Sequence, residues 1–129
     1  MKTIFWNVDT QYDFMRDDDS FRGALPVPGA RSIESNLEKL TEYARIKGFQ
    51  IVNTADWHNL ESKEISSDPD YKSTFPPHCL QRTKGADYVP ATQPNNPYFV
   101  DWQVRTLNEK ALAAHTGDIV ILKDAFDVF

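Results

Sequence analysis

The order of apolar periods along this chain is what most constrains its fold. Residues 3–8, TIFWNV, are a short run rich in β-branched and aromatic side chains that stops at Asp9. The run reads as a strand buried on both faces. From Ala30 to Lys47 the period changes, and Ile33, Leu37, Leu40, Ala44 and Ile46 fall on one helical stripe. Gly48 stands where a left-handed helix cap belongs. FQIVNT (49–54) is a second strand. The spacing then predicts a helix over 103–115, with Val104, Leu107, Ala111 and Leu112 inward and Gly117 at its end. DIVILK (118–123) is a third strand. Such alternation predicts an α/β fold, a doubly wound parallel sheet of about three strands joined by right-handed crossovers.

The remaining segments read as loop. Asp17, Asp18 and Asp19 make a solvated turn, and GALPVPG (23–29) continues it. Ala55 to about Val100 is long and turn-rich, punctuated by Pro69, Pro76, Pro77, Pro90, Pro94 and Pro97. A connection of that length is usually functional or partly structured. The 129 residues suffice for one domain with a real core. A net charge of −5 argues against a general nucleic-acid binder, which needs a basic face for phosphates. One cysteine excludes an internal disulfide framework and a cysteine-based zinc finger. The apolar start is too short for a signal-peptide core or a membrane span. The expectation is a soluble, cytoplasmic protein with no nucleic-acid or membrane partner.

In parallel sheets, chemistry gathers at the carboxyl ends of the strands. Asp9 ends the first strand, Asp56 and His58 follow the second, and Lys123 ends the third. Asp56 and His58 can present a carboxylate oxygen and an imidazole nitrogen to one ion. His78 could return as a third ligand after the long loop, a donor set that suits Zn²⁺, Fe²⁺ or Mn²⁺. Equally, Asp56 could cap a turn and His58 could be a surface histidine. Asp9 could serve as a base and Lys123 could hold a thiolate or oxyanion; a partly buried salt bridge fits the same residues. Phe14 and Phe75 could wall a flat ligand or simply pack in the core. His115, near a helix C-terminus, reads as a dipole partner. Cys79 follows His78 directly. After Pro76 and Pro77 the backbone should be extended, so the two side chains should diverge. Neighbours in sequence therefore make a poor nucleophile–base pair, and Cys79 reads as structural.

The stretches NVDTQYDF (7–14), TADWH (54–58), TFPPHCLQRTKGAD (74–87) and ILKDAFDVF (121–129) together resemble the isochorismatase-like cysteine hydrolases, and within them the nicotinamidase branch. The resemblance implies a three-layer α/β fold and hydrolysis of a small amide, nicotinamide to nicotinate and ammonia, through a Cys-Asp-Lys thioester mechanism. It implies Asp9 as catalytic base and Lys123 as catalytic lysine. Asp56, His58 and His78 would bind a divalent metal, zinc first and iron or manganese next, with Glu61 or Glu64 as a further ligand. Phe14 and Phe75 would flank the substrate ring. Another amide hydrolase of the same fold is the alternative, as is a catalytically inactive binding module.

The family's nucleophilic cysteine lies on a later strand-to-helix turn, and Cys79 matches a different, non-nucleophilic position. The expectation is therefore a single domain over 1–129, C-terminally incomplete and inactive by itself. With three strands, TIFWNV would also lie at a sheet edge, an aggregation-prone position that self-association into a homo-oligomer would cover.

Overall fold

The computed structural model of the chain describes residues 2–128. Its elements are β1 (Ile4–Asn7), α1 (Tyr12–Met15), β2 (Asp17–Asp18), β3 (Phe21–Arg22), α2 (Glu34–Ile46), β4 (Gln50–Asp56), β5 (Tyr98–Asp101), α3 (Glu109–Ala114) and β6 (Ile119–Lys123). The principal sheet is parallel, with strand order β1-β4-β6-β5, and helices flank it. β2 and β3 form a separate small hairpin, so the acidic turn at 17–20 carries more order than a plain loop. Asp18 closes that turn through the backbone N–H of Ser20 and ion-pairs with Arg31 at 3.2 Å.

The sheet has four strands where about three were expected. β5 is the addition: YFV follows Pro97 and pairs along β6. The helix expected over 103–115 is shorter, covering only Glu109–Ala114. Asp101 closes a turn instead, accepting from the N–H of Gln103 at 2.9 Å. The helix begins only where the Asn108 side chain accepts from Ala111 N, at 3.0 Å. Val104 and Leu107, expected inward, are exposed.

β1 lies at the sheet edge, as expected for so few strands, and is not buried on both faces. It pairs only with β4, so Ile4 and Trp6 are exposed, as is Val8 just beyond it. β4 is the strand whose residues are buried from Ile51 to Asp56. α2 begins after a 3₁₀ turn at Ala30–Ile33 and ends where Gly48 takes φ 68°, its N–H bonded to Arg45 O at 3.0 Å. Of the expected stripe, Leu37 and Ala44 pack inward, while Ile33, Leu40 and Ile46 are exposed. Glu34 and Thr41 are buried in their place. Arg16 makes the burial of Glu34 tolerable by pairing with it at 2.7 Å.

Two apolar clusters hold the elements together: Met15, Ala30 and Val89 beside Tyr12 and Leu37, and Ala55, Val120 and Leu122 beside Trp57 and Tyr88. The register places Asp56 directly opposite Lys123. Among the described residues no helix is long and apolar enough to cross a membrane.

Candidate active site and metal centre

Asp9 and Lys123 meet although their strands are not neighbours, since β4 lies between them. Asp9 sits past the end of β1 at φ 49°, a left-handed conformation that aspartate tolerates better than most residues. This bend turns its backbone N–H onto Thr54 O, at 3.2 Å. The Thr54 hydroxyl donates to Asp9 Oδ1 at 2.6 Å, and Oδ2 lies 3.0 Å from Lys123 Nζ. Lys123 also pairs with Asp56 Oδ1 and donates to the Ala125 carbonyl at 3.1 Å. Burial by itself would push the lysine down. The Asp56 and Asp9 carboxylates outweigh it and raise the pKa, so the ammonium stays charged.

Asp56, His58 and His78 are all buried, and one ligand atom from each lies within 4.8 Å of the others. The hydrogen bonds behind the rings fix what the front atoms can be. His78 Nδ1 lies 2.8 Å from the carbonyl of Pro76, which can only accept, so Nδ1 carries the proton. His58 Nδ1 lies 3.0 Å from Asp124 Oδ1, again an acceptor. In the neutral rings both Nε2 atoms are therefore bare lone pairs, and each faces Asp56 Oδ2 at 3.4 Å. His58 Nε2 is buried with no hydrogen-bond partner. Three acceptors converging on one buried point form a set that could hold a metal ion. Two imidazoles and a carboxylate suit zinc, so the residues fit the ion.

The local charges agree. Burial would raise the Asp56 carboxyl, but His58, His78 and Lys123 hold it well below the usual carboxylate range. Burial would likewise lower His58, yet Asp56 and Asp124 raise it.

These groups open onto a groove of about 850 Å³ whose lining includes Asp9, Phe14, Asp56, Phe75, His78 and Lys123. Phe14 and Phe75 pack around His78, with ring centroids 5.4 and 6.1 Å away. Glu64 also lines the groove, and its Oε1 accepts from Phe126 N at 2.7 Å. Glu61 is exposed and absent from this lining. Neither glutamate belongs to the three-residue cluster. His115 stands apart, bonded to the Asn96 carbonyl at 2.7 Å.

Cys79 is fully buried, and burial pushes its thiol far up, the opposite of an activated nucleophile. The extended backbone expected there is absent, because Cys79 adopts φ 44°. Asp13 holds the bend by accepting from Cys79 N at 2.7 Å.

Sequence reasoning missed the residues that hold this site in place. Gln11 is completely buried and grips Asp56 by its backbone, accepting from Asp56 N at 2.8 Å and donating to Asp56 O at 2.7 Å. It continues, by side chain, the ladder that β1 abandons after Asn7. Its place beside Asp9 in VDTQYDF was the available signal. Thr54 and Asp124 carried none, since Asp124 lies 66 positions from its histidine.

A parallel sheet with flanking helices is the architecture of the isochorismatase-like α/β proteins. Over its full length the chain superposes on the pyrazinamidase of Pyrococcus horikoshii in complex with zinc, with a TM-score of 0.61 and 25% identity, covering 55% of that chain. It also superposes on N-carbamoylsarcosine amidase from Thermoplasma acidophilum, with a TM-score of 0.66 and 21% identity over 56% of that chain, a likeness of fold. In sequence it is 36% identical over 88 residues to the nicotinamidase/pyrazinamidase of Mycobacterium tuberculosis. That match takes in 65% of this chain and 42% of the relative, so the chain spans under half the length of the relative it matches. No protein-family model matches. The chain thus resembles a nicotinamidase/pyrazinamidase in sequence over part of its length and shares the fold of the isochorismatase-like α/β proteins.

Proposed function

We propose that this chain carries the acid–base and metal-binding part of a nicotinamidase-like amidohydrolase. The observation that carries this reading is the shared groove. The Asp9–Lys123 pair, the three converging acceptors and two phenylalanines all line or border one apolar-walled space. Asp56, His58 and His78 would hold a divalent ion, zinc first, with Glu64 better placed than Glu61 to add a ligand. When bound, the ion supplies an electrophilic anchor for a ring nitrogen of the substrate.

The chain's own residues do the rest. Phe14 and Phe75 hold a flat ring beside His78. Asp9, held between Thr54 and Lys123, takes the proton of a thiol brought into the groove. Lys123 balances the charge that develops there. The thiolate attacks the amide carbon, the C–N bond breaks, and ammonia leaves with the proton. Water then cleaves the thioester to the carboxylate. Cys79 does not fill this role, because its thiol is sealed and its pKa is raised. The proposed nucleophile is a thiol other than Cys79.

The purified chain should take up close to one equivalent of zinc and bind nicotinamide without releasing ammonia. Calorimetry, metal analysis and an ammonia assay test this together. Failure to bind zinc would overturn the metal site. Ammonia release by the homogeneous chain would overturn the assignment of the nucleophile.

A further inference from the structure

Asp124 has no part in the chemistry above. It touches neither Asp9, Asp56 nor Lys123 through its side chain among the contacts of the site, and it is absent from the metal-binding cluster. Its Oδ1 lies 3.0 Å from His58 Nδ1, on the side of the ring opposite Nε2, and it also accepts from the Ser62 hydroxyl. The fold brings it there. Asp56 and Lys123 are register partners, and Trp57 N donates to Lys123 O at 2.8 Å, so Asp124 leaves the sheet beside the turn that carries His58. Ser62 secures that turn from within, its hydroxyl accepting from Asn59 N at 3.0 Å.

We infer that Asp124 is a positioning residue for the metal site: it holds His58 in the Nδ1–H tautomer and aims the bare Nε2 lone pair at the point faced by Asp56 and His78. The inference rests on the metal reading. A carboxylate behind a ligating imidazole fixes the ring's orientation and raises its basicity. Ring geometry prevents Asp124 from serving as a ligand while it holds Nδ1. The two histidines are thus set by different devices. His78 is tied to the carbonyl of Pro76, two residues away, and His58 to a charged side chain from the far end of the chain. Only the second can be removed by substitution.

The test uses zinc alone as the probe, with Asp124→Ala and Asp124→Asn in the full chain. Zinc affinity is measured by chelator competition, and the His58 tautomer by ¹⁵N NMR of the imidazoles. Asp124→Ala is expected to weaken zinc binding by about ten- to a hundredfold and to release His58 from the Nδ1–H tautomer. Asp124→Asn keeps a neutral acceptor and should fall between it and wild type, which preserves the test if the alanine variant does not fold. A purely structural Asp124 would lower the melting temperature of the zinc-free variants while zinc affinity and tautomer stay unchanged, and that result overturns the inference. If the wild-type chain binds no zinc, the metal reading fails together with it. If wild type and Asp124→Ala bind zinc equally, only the role of Asp124 fails.

Discussion

Replacing Gln11 by alanine should be among the most damaging single changes in this chain. The side chain is fully buried and makes three hydrogen bonds: from Asp56 N, to Asp56 O and to the Ala86 carbonyl. Truncation leaves one N–H and two carbonyls facing a hole that closed around them. A buried polar group stripped of its partner costs about 1–3 kcal/mol. Both carbonyls retain a second lone pair, so they belong at the low end and the N–H at the high end. The total is about 4–5 kcal/mol before any cavity cost, a large share of the ~5–15 kcal/mol that a domain of this size has. At roughly 3–5 °C per kcal/mol, the melting temperature should fall by about 12–25 °C. Gln11→Glu is the sharper probe. It keeps the volume and the acceptor but turns a carboxylate oxygen toward two carbonyls, so it should be no better than alanine near neutral pH. Urea unfolding followed by circular dichroism measures both variants. An alanine variant within 1 kcal/mol of wild type would refute the reasoning, because the Gln11 bonds would then be replaceable by water.

Zinc at a thousandfold excess over its dissociation constant should stabilise the chain by about 4 kcal/mol, read as a rise in melting temperature. The rise should vanish in His58→Ala and His78→Ala; a shift that persists in both would place the ion elsewhere. Lys123→Met strands the Asp9 and Asp56 carboxylates and should cost about 3–5 kcal/mol. Adding Asp9→Asn should recover part of that loss, and a strictly additive double variant would mean that the pair is not coupled. Cys79 should resist iodoacetamide at pH 8 in the native chain and react fully in urea, since burial both seals the thiol and raises its pKa. Fast alkylation of the folded protein would contradict that packing.

The parts of this structure that show in the sequence are those set by local pattern. TIFWNV, FQIVNT and DIVILK each became a strand, and their carboxyl ends delivered Asp9, Asp56 and Lys123 to one place. The errors arose where tertiary partners outweigh pattern. Leu40 and Ile46 lie on a helical stripe, yet Glu34 and Thr41 hold the buried positions, because Arg16 neutralises the glutamate. YFV reads as loop because Pro97 precedes it and the apolar spacing after it imitates a helix, yet it pairs along β6. At the site, types of residue were legible and their support was not. A carboxylate and two imidazoles suggest an ion from spacing alone, whereas the Pro76 carbonyl and Asp124 decide which nitrogens face it only through the fold.

The one-sided pairing of β1 divides the site in time as well as in space. Asp56 and Lys123 stand at the ends of strands held on both flanks, while Asp9 hangs from a strand held on one. Local opening of a parallel sheet starts where fewest bonds must break. Asp9 is therefore the first member of the groove to be lost and the last to be restored. Its dwell time is governed by the Thr54 and Lys123 contacts that catch it past the strand's end. Amide exchange at residues 4–9 should run well ahead of exchange along β4, and that difference measures how long the groove keeps the Asp9–Lys123 pair assembled.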